Sequence, residues 1–229
     1  MSKKNSSVIL KENFRNYDEL FKIYLSFKKK LNSFKRKTFL IAVSGGPDSL
    51  ALTALAKAYS YTNKCKIYYV LVDHNLRKNS SKEAILVKNL LKNYQINLNI
   101  LKNKKLIKKN IQGEAREVRY NLLTTFCKKK KIKNILTAHN LEDQVETFFI
   151  RLSRGSGLQG LSSMKQVNKI NNSVNLVRPL LDLKKDQLIK ISKATFGKYF
   201  QDPSNYNTKF LRTRIRNLKN SLEKIGINY

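Results

Sequence analysis

A strand, a glycine-rich turn and a helix are predicted to follow one another without a break between Phe39 and Lys57. Phe39–Val43 is a short, continuous apolar run, which favours a strand buried on both faces of a sheet. The two adjacent glycines of the turn permit backbone conformations closed to other residues and leave room for a ligand. The serines and the aspartate of the turn can cap the new helix, whose first turn tolerates the proline. Backbone N–H groups at such a helix start bind anions, so the segment predicts a phosphate or pyrophosphate site. The turn has the sequence Ser44-Gly45-Gly46-Pro47-Asp48-Ser49.

This turn differs from the two commonest phosphate-binding loops. A Walker A loop has a lysine followed by serine or threonine after its last glycine, and neither follows here. The dinucleotide fingerprint has three spaced glycines, whereas this turn has two adjacent ones. The hexapeptide instead resembles the PP-loop of the ATP pyrophosphatases, which split ATP into AMP and pyrophosphate. The alternative is an ordinary strand, turn and helix of an α/β protein that binds no ligand.

Charge points to a polyanionic partner. The 229 residues carry a net charge of +32, with a pI of about 10.2, and such a surface favours nucleic acid. The alternative is an AT-rich coding bias, because Lys and Asn are abundant throughout the chain. Cys65 and Cys127 are far apart and form no CxxC pair, so neither a disulfide framework nor a zinc site is indicated. The chain starts without an apolar signal core and shows no membrane-spanning stretch, so we expect a cytoplasmic protein that does not contact a membrane.

Strands and helices are predicted to alternate along the chain, which favours an α/β fold with an open, mostly parallel sheet flanked by helices. We expect a disordered basic tail over residues 1–12 and a single domain over 13–229, without a separate C-terminal domain. A basic helix over 208–225 would form a helical C-terminal extension. The glycine-rich segment 155–161 is predicted to be a loop. Further strands are expected over 66–72, 96–101, 134–138 and 174–181, and further helices over 18–31, 80–91, 113–130, 141–152 and 184–196.

The only two histidines of the chain follow predicted strands. Asp73 and His74 end the second strand, and His139 follows the fourth. Because the carboxyl ends of parallel strands converge on one crevice, we expect these side chains to lie near the glycine turn. A lone histidine is more often structural, but two at matched strand ends favour a functional role.

The segment after the fourth strand holds a second group of candidates. His139, Asp143 and Glu146 have the spacing i, i+4, i+7, so they would share one helix face if the helix begins near His139. We expect Val145, Phe148, Phe149 and Leu152 to form the buried side of this helix. The structural alternative is that Asn140 caps the helix and that Glu142 and Asp143 are there because acidic residues are favoured in the first turn of a helix. For Mg²⁺ bound with ATP, the candidate ligands are Asp48 and Asp143, while Glu146 could orient an amine or a base.

Arginines mark a third candidate region. Arg116 and Arg119 lie three residues apart at a predicted helix start, beside Glu114. Arginines near a phosphate site stabilise charge on the transferred group. In isolation, a surface helix with local ion pairs would explain them equally well.

Together these segments resemble the tRNA(Ile)-lysidine synthases, which are N-type ATP pyrophosphatases with the fold of the adenine nucleotide alpha hydrolases. The resemblance extends in order over most of residues 38–217, and its most specific parts are an Arg-Gly-Ser-Gly-Leu stretch and an Asp-Pro-Ser-Asn turn. The matching segments are Ser44–Ser49, Val72–Arg77, Gly113–Tyr120, Ala138–Thr147, Arg151–Leu161, Arg178–Leu181, Asp202–Asn205 and Arg212–Arg216.

The resemblance implies an ATP-dependent ligase that forms lysidine. ATP would adenylate the C2 oxygen of the wobble cytidine in a tRNA(Ile) with a CAU anticodon, releasing pyrophosphate. The amine of free L-lysine would then attack C2 and displace AMP. The implied catalytic residues are Asp48, His139, Asp143, Glu146 and Arg212. The implied nucleotide-binding residues are Ser44, Gly45, Gly46, Asp48, Ser49, Asp73 and His74. Asp48 and Asp143 would bind Mg²⁺, and Arg116, Arg119 and Arg216 would contact the tRNA.

Two departures and several alternatives accompany this interpretation. The family often has two aspartates where this chain has Glu142-Asp143, and an asparagine where it has Thr213. Many members carry further C-terminal domains, so the chain is either a short form or a fragment. The alternatives are a tRNA thiolase, which typically needs paired cysteines or an iron–sulfur cluster, a non-catalytic RNA-binding relative, and a small-molecule ligase such as an NAD synthetase.

Overall fold

The computed structural model describes residues 18–77, 79–104, 111–201, 208 and 211–226. The predicted tail over residues 1–12 and the Asp-Pro-Ser-Asn turn at 202–205 lie outside these ranges.

Strands and helices alternate through the described residues, as the sequence predicts. The strands are β1 (Thr38–Val43), β2 (Lys66–Asp73), β3 (Leu98–Lys102), β4 (Asn134–Leu136), β5 (Val167–Lys169) and β6 (Asn175–Val177). The helices are α1 (Asp18–Asn32), α2 (Pro47–Thr62), α3 (Ser80–Lys92), α4 (Ile111–Lys130), α5 (Leu141–Leu152), α6 (Leu158–Leu161), α7 (Lys185–Phe196), α8 (Leu211–Asn217) and α9 (Lys219–Lys224).

The strands form one six-stranded sheet in the order β3-β2-β1-β4-β6-β5. All neighbouring pairs are parallel except β5 and β6, which are antiparallel. This confirms the predicted open, mostly parallel sheet. Because the chain winds outward from β1 to β3 and then returns to add β4 on the other side of β1, the strand order reverses between β1 and β4. In open α/β sheets a ligand crevice forms at the carboxyl ends of the strands at such a reversal.

Side chains from alternate positions of the strands fill two cores, one on each face of the sheet. Phe39 and Ile41 of β1 point into a large core with α1, α2, α3 and α7, whereas Leu40 points into a smaller core under α4. A strand buried on both faces has to be apolar at successive positions, which explains the unbroken apolar run of β1. Among the described residues, no helix is long and apolar enough to cross a membrane.

Some local expectations were wrong. The segment 155–161 is not a loop throughout, because α6 forms a single helical turn at its end. The predicted C-terminal helix is divided at Leu218 into α8 and α9. Strand β5 was not expected, because its sequence has one apolar residue followed by two polar ones. All three residues are exposed, and the strand forms by antiparallel pairing with β6.

The expected buried side of α5 was also wrong. Phe148 and Leu152 are exposed, and Val145 and Phe149 are only partly buried. The one buried residue of α5 is Glu146. This helix packs against α8 and α6, and α8 presents arginines to it, so its best-buried position is a carboxylate with cationic partners.

Candidate active site

The side chain of Ser49 holds the glycine turn after β1 in its folded shape. Its hydroxyl oxygen accepts hydrogen bonds from the backbone N–H groups of Ser44 and Gly45, each at 3.1 Å, and the hydroxyl donates to the carbonyl of Gly46 at 3.0 Å. The expected side-chain cap of α2 is absent: Gly46 is the N-cap residue and no side chain bonds to the cap, while Pro47 occupies the first turn as predicted. Ser49 therefore stabilises the conformation of the turn through hydrogen bonds to the turn's own backbone.

Gly45 occupies a position that no other residue would fit. Its φ angle is +87°, and a Cβ atom placed there would lie 2.5 Å from Cγ2 of Val87. Its carbonyl also accepts a 3.0 Å hydrogen bond from the N–H of Phe200. Glycine is required here both for the left-handed backbone and for the close approach of α3.

Asp48 follows the turn in the first turn of α2, and its environment disfavours the charged form. Burial raises its pKa to about 6, Lys185 opposes that shift, and the carboxylates of Asp143 and Glu142 add to it. One of its oxygens, Oδ1, is buried and makes no hydrogen bond. A buried carboxylate oxygen without a donor beside a second carboxylate fits a bound cation, which would supply the missing charge.

The donor set suits Mg²⁺ carried with a nucleotide better than a permanent metal centre. No group of three or more metal-binding side chains occurs among the residues that the structure describes. Mg²⁺ usually takes one or two protein carboxylates and completes its shell with phosphates and water. Asp48 and Asp143 are the residues that would hold it.

His139 lies just before α5 and is not part of it, since the helix begins at Leu141. The expected shared helix face therefore does not include the histidine. Its Nδ1 atom hydrogen-bonds to the hydroxyl of Thr137 at 2.9 Å. Burial lowers the pKa of His139 to about 4; the nearby Asp143 opposes this shift, and surrounding arginines, including Arg178, reinforce it. The imidazole is thus neutral at physiological pH.

Asp143 serves the start of α5, as the structural alternative proposed. Its N–H donates to Oδ1 of Asn140 at 2.9 Å, and its carboxylate accepts from the N–H of Asn140 at 3.1 Å, which completes a capping box. The same carboxylate is electrostatically coupled to Asp48 and to His139. The capping box therefore holds Asp143 in place between these two side chains.

Glu146 joins α5 to the C-terminal helix α8. Its side chain is buried, with Oε1 2.8 Å from Nε of Arg216 and Oε2 3.1 Å from Nε of Arg212. Arg212 also donates to the hydroxyl of Thr147 at 3.3 Å. Arg216 thus lies in the same cluster as the acids and is not grouped with Arg116 and Arg119.

The carboxyl end of β2 lies beside that of β1 in the sheet. Asp73 accepts hydrogen bonds from the N–H of Asn75 and the hydroxyl of Ser81, at 2.9 and 2.5 Å. Burial acts to raise its pKa, but these bonds outweigh that effect and hold the pKa below its usual value. Burial lowers the pKa of His74 to about 4, and Nε of Arg119 lies 3.3 Å from its Nε2 atom. Arg119 is thereby tied to the end of β2.

A cavity of about 400 Å³ opens between α4 and the β5–β6 hairpin. Arg178 projects into it from the end of β6 and is 6% exposed, with its Nε atom buried and without a hydrogen-bond partner. Arg116 lines the same cavity and stacks its guanidinium 5.1 Å from the ring centroid of Tyr120. Both arginines act electrostatically on His139 and lower its pKa, although His139 itself does not line the cavity. The other lining residues are Gly113, Glu117, Asn121, Asn168, Lys169, Ile170 and Leu176.

Sequence reasoning did not assign roles to two residues of this region, Arg178 and Lys185. Arg178 directly follows a strand, and that position was the signal available for it. Lys185 faces Asp48 only because α7 begins beside α5, where Glu142 accepts the N–H of Lys185 with both carboxylate oxygens, at 3.0 and 2.9 Å. This contact joins residues 43 positions apart, so no local pattern could have indicated it.

Comparison with known proteins places this geometry in a family. The PP-loop domain matches residues 20–222. A tRNA(Ile)-lysidine synthase of Orientia tsutsugamushi is 42% identical over 183 residues, covering 80% of this chain and 41% of that protein. One from Wolbachia pipientis wMel is 40% identical over 199 residues, covering 85% and 46%. The chain spans less than half the length of these curated relatives.

Solved structures share the fold at low sequence identity. The U34-tRNA thiolase NcsA from Methanococcus maripaludis, with its [4Fe-4S] cluster, superimposes with a TM-score of 0.73 at 18% identity, over 90% of this chain and 74% of that one. The FMN adenylyltransferase of Candida glabrata in complex with ATP has a TM-score of 0.52 at 14% identity, over 81% and 62%. These similarities establish the architecture of the sheet and its helices.

Proposed function

The chain belongs to the PP-loop domain family, and from this premise we propose that it carries the catalytic region of a tRNA(Ile)-lysidine synthase. The identity of 40–42% to enzymes of that name supports this assignment. In the proposed reaction, O2 of the wobble cytidine attacks the α-phosphorus of ATP and pyrophosphate leaves. The ε-amine of lysine then attacks C2 and AMP leaves with the oxygen.

The first step uses the crevice between β1 and β4. The turn Ser44–Ser49 and the first turn of α2 bind the phosphates of ATP through backbone N–H groups. Mg²⁺ held by Asp48 and Asp143 would neutralise charge on the phosphates. Arg212 and Arg216, held on the same cluster by Glu146, stabilise the charge that develops on the α-phosphate.

The second step requires lysine with a neutral amine. His139 is neutral and is electrostatically coupled to Asp143, so the imidazole is suited to accept the proton that the amine loses. Anionic ATP beside His139 raises its pKa toward the range useful for a base. The hydroxyl of Thr137, 2.9 Å from Nδ1, keeps the imidazole in position.

The cavity between α4 and the β5–β6 hairpin suits free lysine. Arg178 offers a guanidinium in the wall of the cavity, fixed by a 2.9 Å hydrogen bond from Nη1 to the carbonyl of Lys165. A guanidinium matches a carboxylate as a charge-assisted hydrogen-bond partner. Glu117, Asn121 and Asn168 at the rim offer acceptors for the α-ammonium group. Arg116 and Arg119 on α4 then lie between lysine and the incoming tRNA, and contact the target nucleotide or its phosphates.

The observation that carries the proposal is the assembly of Asp48, Asp143, His139 and the Glu146 arginine pair at one sheet reversal. The test combines the purified protein with ATP, Mg²⁺, labelled lysine and the CAU-anticodon tRNA(Ile). Transfer of lysine to tRNA, with AMP and pyrophosphate formed in equal amounts, is expected. A matched tRNA with a CAU anticodon that normally accepts methionine is the control. Absence of transfer with ATP turnover independent of tRNA would refute the proposal.

Thiolation is the nearest alternative, and the placement of the cysteines weighs against it for this chain. Cys127 is buried in the core under α4, and Cys65 packs against the core on the opposite face of the sheet. Burial raises the pKa of both thiols, which disfavours the reactive thiolate.

Lysidine formation would place the protein in the cytoplasm with its tRNA.

A further inference from the structure

An apolar surface remains uncovered at the C-terminal end of α5. Phe148 and Leu152, one helical turn apart, are 40% and 49% exposed, and Leu158 at the start of α6 is 91% exposed. Helix α6 packs against α5. We refer to Phe148, Leu152 and Leu158 as the α5–α6 surface.

These side chains do not belong to the interior of the fold. Neither of the two core clusters among the described residues includes any of the three. The well-buried position of α5 is Glu146, on the side that faces α8. The apolar side chains of the α5–α6 surface therefore contribute little to folding, and exposed apolar groups that do not fold the chain mark contact sites.

Positive charge surrounds the α5–α6 surface. Arg151 lies within it on α5 and donates from Nη1 to the carbonyl of Ser162, immediately after α6. Arg154 is exposed in the turn that joins the two helices. No acidic residue lies between Thr147 and Leu161. A protein partner would have to be acidic to match this pattern, whereas nucleic acid matches both the cations and the apolar side chains.

The α5–α6 surface lies on the same helix as part of the candidate active site. Asp143 and Leu152 are on the same helix, nine residues apart, which corresponds to about 14 Å along the helix axis. Neighbouring nucleotides of a single strand extend over comparable distances. A polynucleotide whose target base enters the crevice would thus bring its flanking nucleotides to the end of α5.

We propose that the α5–α6 surface binds the unpaired bases that flank the target cytidine in the RNA loop. This inference rests on the proposed function and names a contact that fixes the loop beside the crevice. Phe148 provides a face on which a base stacks, Leu158 packs against the next base, and Arg151 and Arg154 contact the intervening phosphates. Single-stranded loops, unlike paired stems, expose base faces for such contacts.

The test measures binding of a CAU anticodon stem-loop RNA by fluorescence anisotropy, with the full chain. Phe148→Ser is expected to weaken the affinity about tenfold, since base stacking on an aromatic side chain is typically worth about that much. Leu158→Ser, which removes an aliphatic contact, is expected to weaken it by a smaller factor. Leu86→Ser is the matched control, because Leu86 is likewise an exposed apolar side chain, with 53% of its surface accessible, but lies on α3. A fully paired stem RNA should bind the variants and the unmodified protein equally.

Three results would overturn the inference. One is an unchanged stem-loop affinity in both variants. Another is an equal loss for the stem and the stem-loop, which would indicate general electrostatic binding. The third is dissociation of a dimer by Leu158→Ser without a change in RNA affinity, measured by analytical ultracentrifugation, which would assign the surface to a second copy of the chain. Lysine transfer by the unmodified protein, measured in parallel, separates failure of this inference from failure of the proposed function.

Discussion

Glu146 accepts a 2.8 Å hydrogen bond from Nε of Arg216 while only 3% of Glu146 is exposed. A buried carboxylate on α5 therefore anchors a cationic helix that lies 70 residues further along the chain. Burial alone would lower the pKa of Arg216, but the Glu146 carboxylate outweighs it and raises that pKa. Because Arg212 shares the same carboxylate, one residue determines where two cations lie relative to the crevice.

Replacing Glu146 with glutamine should release α8. The substitution keeps the size of the side chain but removes the charge that holds both arginines, so we expect a loss of about 1–3 kcal/mol in the free energy of unfolding, measured by urea denaturation. Glu83→Gln, which removes the exposed ion pair with Arg77, is the control and should cost less than about 1 kcal/mol. Equal effects of the two substitutions would contradict the anchoring role of Glu146.

Replacing Asp48 with asparagine should stabilise the protein at neutral pH and abolish turnover of ATP. The native pKa of Asp48, about 6, lies above the ordinary carboxyl value of 3.8, so the folded state binds the proton more tightly than the unfolded state. Relative to Asp48→Asn, the unmodified protein should therefore lose stability as pH rises from about 4 through 6 and change little above that. Unfolding curves of both proteins across this range provide the measurement. A pH-independent difference would show that Asp48 is not buried in this way.

Both histidines should be neutral at pH 6. Burial lowers the pKa of His74 and of His139 to about 4, so their protonation opposes folding and reduces stability as pH falls below about 6.5. Nitrogen chemical shifts of the two imidazoles, assigned with His74→Gln, measure the protonation directly. A midpoint near 6.5 for His139 would contradict its burial, and a rise of its pKa on addition of ATP would support its proposed role as a base.

Replacing Ser49 with alanine should disorder the phosphate-binding turn. Its hydroxyl oxygen accepts from two backbone N–H groups, and without it these donors lose their partner. We expect ATP to bind about tenfold more weakly and the free energy of unfolding to fall by about 1–3 kcal/mol. Ser60→Ala is matched to it, because the Ser60 hydroxyl, also on α2, bonds to the carbonyl three residues before it. Calorimetry measures ATP binding by the two variants. Equal ATP affinities of Ser49→Ala and Ser60→Ala would contradict the role of Ser49 in shaping the turn.

Replacing Arg178 with glutamine should raise KM for lysine with little effect on KM for ATP. The substitution removes the buried cation that we assign to the carboxylate of lysine, and loss of such a charge-assisted contact typically costs tenfold or more. Arg36→Gln, in the exposed turn after α1, is the control. Steady-state lysine transfer measures both constants. An equal rise in KM for lysine and KM for ATP would contradict the assignment of Arg178 to lysine. It would indicate that Arg178 supports the fold or the ATP site.

Much of the local structure could be predicted because it depends on neighbours in sequence. The apolar run of β1, the glycines of its turn and the capping box of Asn140 and Asp143 are encoded within a few residues. The alternation of strands and helices then limits the sheet to a few arrangements, so that polar residues at strand ends such as Asp73 and His139 were expected to converge.

Other features depend on contacts that no local pattern contains. The sequence of α5 indicated an apolar buried side, yet tertiary packing buried Glu146 and left Phe148 and Leu152 exposed, because the facing helix α8 carries arginines. The shifted pKa values of Asp48 and His139 likewise arise from desolvation by distant elements. The sequence by itself determined the fold class, the glycine turn after β1 and the residues available for chemistry. Only the tertiary structure decided which of these are charged, paired or exposed, because burial and long-range electrostatics are properties of the assembled sheet and helices.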